Sequence, residues 1–308
     1  IIRKMYRKKP FLYLFLAIMF LLIATLVGCT TTQSNAPTDI SKPTVEQTLT
    51  VPVPTAAALP YAIRLGEYGV LIDEYESEKI RLESAVGLSG VPLTPEEVIE
   101  RVRTELAGQL VLAAAAYEQG FSISDGEIET RVNTLIEQTG GQEVFNQWLS
   151  ENAYTPELFK EALIRQIAAD WQKDRIISTV PDMQDQIHGR QILVKERSTA
   201  EQLLRQLQAG SDFDTLAYQY DPLTGGELGW FPRGYLTQPQ LDEVVFALQP
   251  GEFSPIVETE IGFHIVYVVD REESRVLSPD AREILTQAAV LDWVNNQLQN
   301  AQLEYLVD

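Results

Sequence analysis

At 308 residues the chain is long enough for one or two domains, and its 45% hydrophobic content is that of an ordinary globular protein. It is strongly acidic, with 44 Asp and Glu against 24 Lys and Arg (net −20), a surface that repels phosphate backbones and argues against a nucleic-acid partner. One cysteine and two histidines exclude a disulfide framework and the usual N/S zinc site.

The first 28 residues carry five basic residues (Arg3, Lys4, Arg7, Lys8, Lys9) and no acidic one, so the remainder is more acidic still, 19 against 44, net −25. This basic start precedes an apolar run, Phe11–Gly28, and reads as an export signal over residues 1–28. The run ends in Leu26-Val27-Gly28-Cys29, which resembles the lipobox of bacterial lipoproteins. That resemblance implies lipidation of Cys29 and attachment to the bacterial cell membrane from outside the cytoplasm. An uncleaved transmembrane anchor is the alternative, and it leaves the bulk of the chain on the same side. Residues 29–58, rich in Thr, Pro, Ser and Ala, read as a disordered tether.

A strand or hairpin is predicted over Tyr61–Leu71, followed by helix from Ile72. Thr94-Pro95-Glu96-Glu97 is a capping box with Pro at the first helical position, opening a helix with Val98, Val102, Leu106 and Leu110 on one face and Gly120 as its stop. Ser124–Glu127 is a second box, and Gly140-Gly141 ends its helix. Phe145, Trp148 and Leu149 mark a short helix, and Thr155-Pro156 starts one that runs to Ser178. Pro181–Gln186 reads as a hinge. Beyond it the pattern turns to mixed α/β: a strand at Ile192–Val194, helices at Ser198–Gln208 (capped by Ser198 with Glu201), Asp212–Tyr220 and Pro239–Leu248, and a β-branched strand at Phe263–Val269. A last helix is predicted over Pro279–Tyr305, with Ile284, Ala288, Leu291 and Leu298 on its apolar face. The helical segments, 59–180 and 274–308, are expected to pack together around an inserted unit at 185–272.

Ile187-His188-Gly189-Arg190-Gln191-Ile192-Leu193-Val194-Lys195, the segment Gly225-Gly226-Glu227-Leu228-Gly229-Trp230-Phe231, and Gly262-Phe263-His264-Ile265 together resemble a parvulin-type peptidyl-prolyl isomerase. The whole layout is similar to the SurA/PrsA-like foldases. The resemblance implies an α+β fold, with a helical SurA-like chaperone domain completed by the C-terminal helix and an inserted parvulin domain whose small antiparallel sheet is wrapped by helices. It implies a peptidyl-prolyl cis–trans isomerase that twists X–Pro amides of unfolded or newly exported polypeptides in an apolar groove, with no cofactor and no metal. Rotation about X–Pro is slow because amide resonance resists twisting, so a catalyst must favour the twisted state.

Matching residue by residue, the resemblance assigns the proline pocket to Leu236, Leu241 and Phe246, the family's second histidine to His264, and the residue that modulates the carbonyl environment to Asp221. The interval Leu236–Leu241 is one residue longer, and the loop Tyr220–Gly225 shorter, than the usual pattern. Gln191 stands where the family usually has histidine; glutamine donates and accepts hydrogen bonds without titrating. Taken singly, each residue has a plainer reading. The three apolar residues would be ordinary core, His264 a satisfied strand histidine, Asp221 before Pro222 a turn residue, and Trp230-Phe231 core packing. A holdase chaperone with a weak or inactive parvulin domain that only binds extended chain is the alternative function.

Overall fold

The computed structural model describes residues 60–89 and 93–307. The signal segment, Cys29 and the tether lie outside the described residues.

The N-terminal part begins with the hairpin β1 (Tyr61–Leu65) and β2 (Tyr68–Leu71), then five helices: α1 (Ile72–Ser89), α2 (Pro95–Glu118), α3 (Asp125–Thr139), α4 (Gln142–Glu151) and α5 (Pro156–Ile177). Their starts follow from local chemistry. The Thr94 hydroxyl accepts the Glu97 N–H at 3.2 Å while the Glu97 carboxylate takes the Thr94 N–H at 2.8 Å. Ser124 and Glu127 repeat the device, and Thr155 caps Leu158 with Pro156 at the first helical position. Val98, Val102, Leu106 and Leu110 of α2 are buried against Ala62, Ile63, Val70 and Tyr75. A second cluster joins α3, α4 and α5 through Phe145, Leu149, Phe159 and Leu163. A buried ion pair, Arg165 with Glu74, ties α5 to α1; burial lowers the Arg165 guanidinium to about 10, still a cation at neutral pH.

The second sheet is four-stranded and antiparallel, in the order β4-β3-β6-β5. Its strands are β3 (Met183–Val194), β4 (Glu227–Pro232), β5 (Val257–Thr259) and β6 (Gly262–Val276), with α6 (Arg197–Gln208), α7 (Phe213–Tyr220) and α8 (Pro239–Val245) in the connections. One face, with Ile192, Val194 and Ile265, packs on α6 and α7 through Ala200, Leu203, Leu207, Phe213 and Leu216. The other face, with Ile187, Val266 and Val268, packs on Leu241, Val245 and Phe246 of α8 and the turn after it. The fold is therefore α+β.

Four local expectations change. The hinge at Pro181–Gln186 is strand from Met183 onward, paired with Val276, Arg275 and Glu272 of β6, so two long strands carry the sheet to the helical part as one ladder. α6 starts at Arg197 with Glu196 before it and no side-chain cap, which leaves Ser198 inside the first turn. The last helix, α9 (Pro279–Asn300), stops five residues early: Ala301 is extended and β7 (Leu303–Tyr305) pairs with β1, making the sheet β2-β1-β7. The open edge of β1 and the apolar cluster beneath it, which takes Leu303 and Val307, favour strand over another helical turn. The face α9 presents to α2 and α5 carries Ala289, Val290, Trp293 and Val294, while Leu291 is 60% exposed. Val294 faces Gly108 of α2, where a methyl would make an ordinary 3.6 Å contact with it.

Candidate active site

Side chains alternate across a strand, so odd residues of β3 and even residues of β6 share the face that meets α8. Register places Leu193 opposite His264 and Gln191 opposite Val266. Gln191 and His264 thus stand on one face, one ladder step apart.

His264 is 1% exposed and held at both ring nitrogens. Nδ1 lies 2.9 Å from Gln191 Oε1, and Nε2 lies 2.8 Å from Thr259 Oγ1. The amide oxygen can only accept, so Nδ1–H donates to it and the neutral Nε2 accepts the Thr259 hydroxyl hydrogen. Thr259 Oγ1 also accepts the Ile261 N–H at 3.3 Å, and the Gly262 carbonyl, 3.2 Å away, is a longer second acceptor for its hydrogen than Nε2. Burial disfavours the imidazolium and lowers His264 to about 4. The ring is therefore neutral over the whole physiological range. The amide NH₂ of Gln191, a half-buried side chain, has no hydrogen-bond partner among the described residues.

Thr259 was not singled out from the sequence. Its place follows from β5, a three-residue strand in which Val257 pairs with His264 and Thr259 lies two residues on, on the same face. The signal was the alternation in Val257-Glu258-Thr259, too short to read as a strand without its partner.

Leu236, Leu241 and Phe246 all belong to the apolar cluster under this face. Leu241 and Phe246 are 3% and 4% exposed, whereas Leu236 is half-buried. The Phe246 ring packs edge-on against Phe231 and is covered by the Arg233 guanidinium, 4.3 Å from its centroid. Arg271 adds a second clamp. It makes a two-pronged pair with Asp185 (2.9 and 2.6 Å) and donates to the Phe246 carbonyl at 3.3 Å, fastening the end of α8 to the ladder.

Asp221 ends α7, and its carboxylate is occupied by its own turn, accepting the N–H groups of Leu223 and Thr224 at 3.2 Å and the Thr224 hydroxyl. The bonds from Thr224 hold it below the usual carboxylate range. It has no hydrogen bond to His264 or Gln191; its link to them runs through backbone. Gly225 N–H donates to Asp221 O and Gln191 N–H to Gly226 O, each at 2.8 Å. His188 lies on the opposite face of β3, with Nε2 2.7 Å from Glu227 and its ring stacked on Trp230. The structure thus brings together Gln191, His264, Thr259 and the apolar cluster, and leaves Asp221 and His188 outside that set.

Residues 177–272 match the PPIC-type PPIASE domain family. The chain is 30% identical over 237 residues to the foldase protein PrsA of Geobacillus sp. (strain WCH70), covering 69% of this chain and 84% of that protein. It is 29% identical over 224 residues to the foldase protein PrsA of Bacillus subtilis (strain 168), covering 66% and 73%. Among solved structures it is similar to the crystal structure of a peptidylprolyl isomerase (PrsA) from Bacillus cereus, with TM-score 0.45 and 21% identity over 70% of this chain and 91% of that one. The chain belongs to the PrsA foldase family, and its PPIC-type domain makes it a peptidyl-prolyl isomerase.

Proposed function

We propose that this isomerase, a foldase for exported polypeptides, twists X–Pro amides against the face of β3 and β6 that carries Gln191 and His264. The observation that carries the reading is the double tether of His264, a neutral, desolvated imidazole fixed at both nitrogens beside an apolar cluster. In this reading Leu236, with Leu241 and Phe246 behind it, grips the proline ring. The unpartnered Gln191 NH₂ donates to the client carbonyl as the C–N bond rotates. His264 fixes the Gln191 amide plane by binding its oxygen, and Thr259 fixes the His264 tautomer. A donor set in place before rotation favours the twisted amide, whose carbonyl is no longer conjugated with nitrogen. Asp221 acts by holding the turn that abuts Gln191.

The division of labour follows the same reading. Residues 185–272 isomerise, residues 59–180 with 274–308 hold unfolded chain, and residues 1–28 are removed so that lipidated Cys29 anchors the protein to the membrane through the tether of residues 29–58. Exchange spectroscopy on an X–Pro peptide with the full mature chain tests the catalytic part. We expect acceleration that falls at least ten-fold in Gln191→Ala; no acceleration at high enzyme concentration rejects it. Cys29→Ser should release the protein from membranes, and retention there would favour the uncleaved anchor.

One observation favours the holdase alternative. Leu241 and Phe246 are almost fully covered, so of the three pocket residues only Leu236 offers open apolar surface. Peptide binding without acceleration, together with suppression of client aggregation, would establish that reading instead.

A further inference from the structure

One apolar stripe of α9 runs on past the helical part. Leu285, Ala289 and Trp293 recur every four residues and so share a face of the helix. Ala289 and Trp293 pack with Val290 and Val294 on the cluster of α2 and α5. Leu285, one turn nearer the start of α9, meets the four-stranded unit instead. Its side chain lies against Gly234, so close that a methyl there would come within 3.3 Å of Leu285 Cδ2, tighter than an ordinary contact. Gly234 belongs to the turn between β4 and α8 and has φ +78°. That turn is fastened on its other sides too. Gly234 N–H donates to the Asp242 carboxylate of α8 at 2.6 Å, and the neighbouring Arg233 guanidinium lies on the Phe246 ring. Leu236, the open residue of the pocket, stands two residues beyond Gly234. The start of α9 is itself anchored at the end of the ladder: Ser278 caps it, Arg282 pairs with Asp182, and Leu277 N–H donates to Asp182 O at 2.9 Å.

We propose that Leu285 is a positioning residue of the proline pocket: the last helix of the helical part braces the turn that presents Leu236 to the client. This rests on the reading of Leu236 as the residue that grips the proline ring. Gly234 has no side chain of its own to pack and a wide choice of backbone conformations, so the turn is held by what presses on it. Asp242 restrains its nitrogen, and Leu285 closes the space beside its Cα. Leu285 acts through Gly234 and not on the amide, so it sets how firmly the proline is held rather than how fast a held amide turns. Because the same stripe continues through Ala289 and Trp293 into the cluster of α2 and α5, a displacement of α9 on those helices is carried to the pocket turn. The affinity of the groove is thereby tied to the packing of the helical part.

The test uses the full mature chain, an X–Pro peptide, and the variants Leu285→Ala, Leu285→Met and Leu291→Ala, the last a control on the same helix at a residue that is 60% exposed. We expect Leu285→Ala to raise Kd and KM about five-fold while the exchange rate at saturating peptide stays within about a factor of two. Amide exchange should quicken at residues 233–236 and stay slow in β3 and β6. Leu285→Met should restore both readings, and Leu291→Ala should move neither. Should Leu285→Ala loosen the whole unit, a cycle with Gly234→Ala decides: the added methyl crowds the leucine only where the leucine is present, so the double variant should bind more tightly than the product of the single effects implies. Unchanged Kd and turn protection in Leu285→Ala, a fall in saturating rate at unchanged Kd, or independent effects in the cycle each overturn the proposal. A loosened turn with unchanged Kd overturns both the proposal and the reading of Leu236. If no peptide is accelerated but Kd and turn protection change as expected, Leu285 positions a binding pocket and only the isomerase reading of the groove falls.

Discussion

Neither member of the Gln191–His264 pair changes charge near neutral pH. Gln191 has no titratable group, and His264 is lowered to about 4 from its ordinary 6.5 by burial. Between those two values the unfolded chain binds a proton that the folded protein refuses, so acidification favours unfolding. Stability tied to His264 is complete above pH 6.5, declines as pH falls, and is about 3 kcal/mol lower by pH 4. Urea unfolding of the natural protein and of His264→Gln, each at pH 7.5 and 4.5, isolates this contribution because all other acids are common to both. The natural protein should lose about 2–3 kcal/mol more than the variant over that interval; identical losses would mean that the ring is protonated in the fold. The residues at this scale differ in how far the sequence reveals them. His264 and Gln191 are marked by their motif positions. Nothing local discloses that Asp221 turns its carboxylate inward on its own loop, because a turn aspartate and a groove aspartate look the same until the Thr224 hydroxyl is located.

At the scale of elements, the close approach of the α7–β4 turn to β3 is a steric requirement. Gly226 has φ +71°, a left-handed conformation, and its Cα faces the Gln191 carbonyl with no room for a methyl group. Gly226→Ala should therefore cost about 3 kcal/mol and displace Gln191, so that exchange rate falls further than the loss of folded protein explains. Thermal unfolding together with rate per folded molecule checks this; a variant with unchanged midpoint and rate would show that the turn can move aside. The elements that the sequence discloses best are those with their own punctuation. The capping boxes at Thr94 and Ser124 and the Pro156 start satisfy helix ends from within a few residues, so they are readable locally. The length of β3 is not. Its first third, Met183-Gln184-Asp185-Gln186, is polar after Met183 and lacks a strand's alternation, and it is strand only because β6 pairs with it. The face of α9 is hidden for a related reason: two apolar stripes are present, and only the packing of Ala289, Val290, Trp293 and Val294 against α2 and α5 shows which one is buried.

At the scale of the molecule, β7 closes the N-terminal sheet from the far end of the chain. It pairs with β1, Arg64 binds Glu304, Leu306 N–H donates to Ala62 O, and Arg103 donates to the Val307 carbonyl. Truncation after Gln302 should remove protection from amide exchange in β1 and α2 while leaving β3 and β6 protected, as followed by mass spectrometry. Uniform loss across both sheets would show that the two parts unfold as one. The ladder has a related consequence for the order of events during export. Leu277 N–H bonds Asp182 O at 2.9 Å, so the four-stranded unit leaves and rejoins the helical part at adjacent points. Everything needed for that unit emerges between those two residues, whereas β1 must wait for a partner 240 residues later. A chain delivered N-terminus first can thus complete its four-stranded isomerase unit while its helical part still lacks a strand. For that interval the foldase is itself an unfinished polypeptide, with the edge of β1 open to whatever neighbour reaches it before its own last residues do.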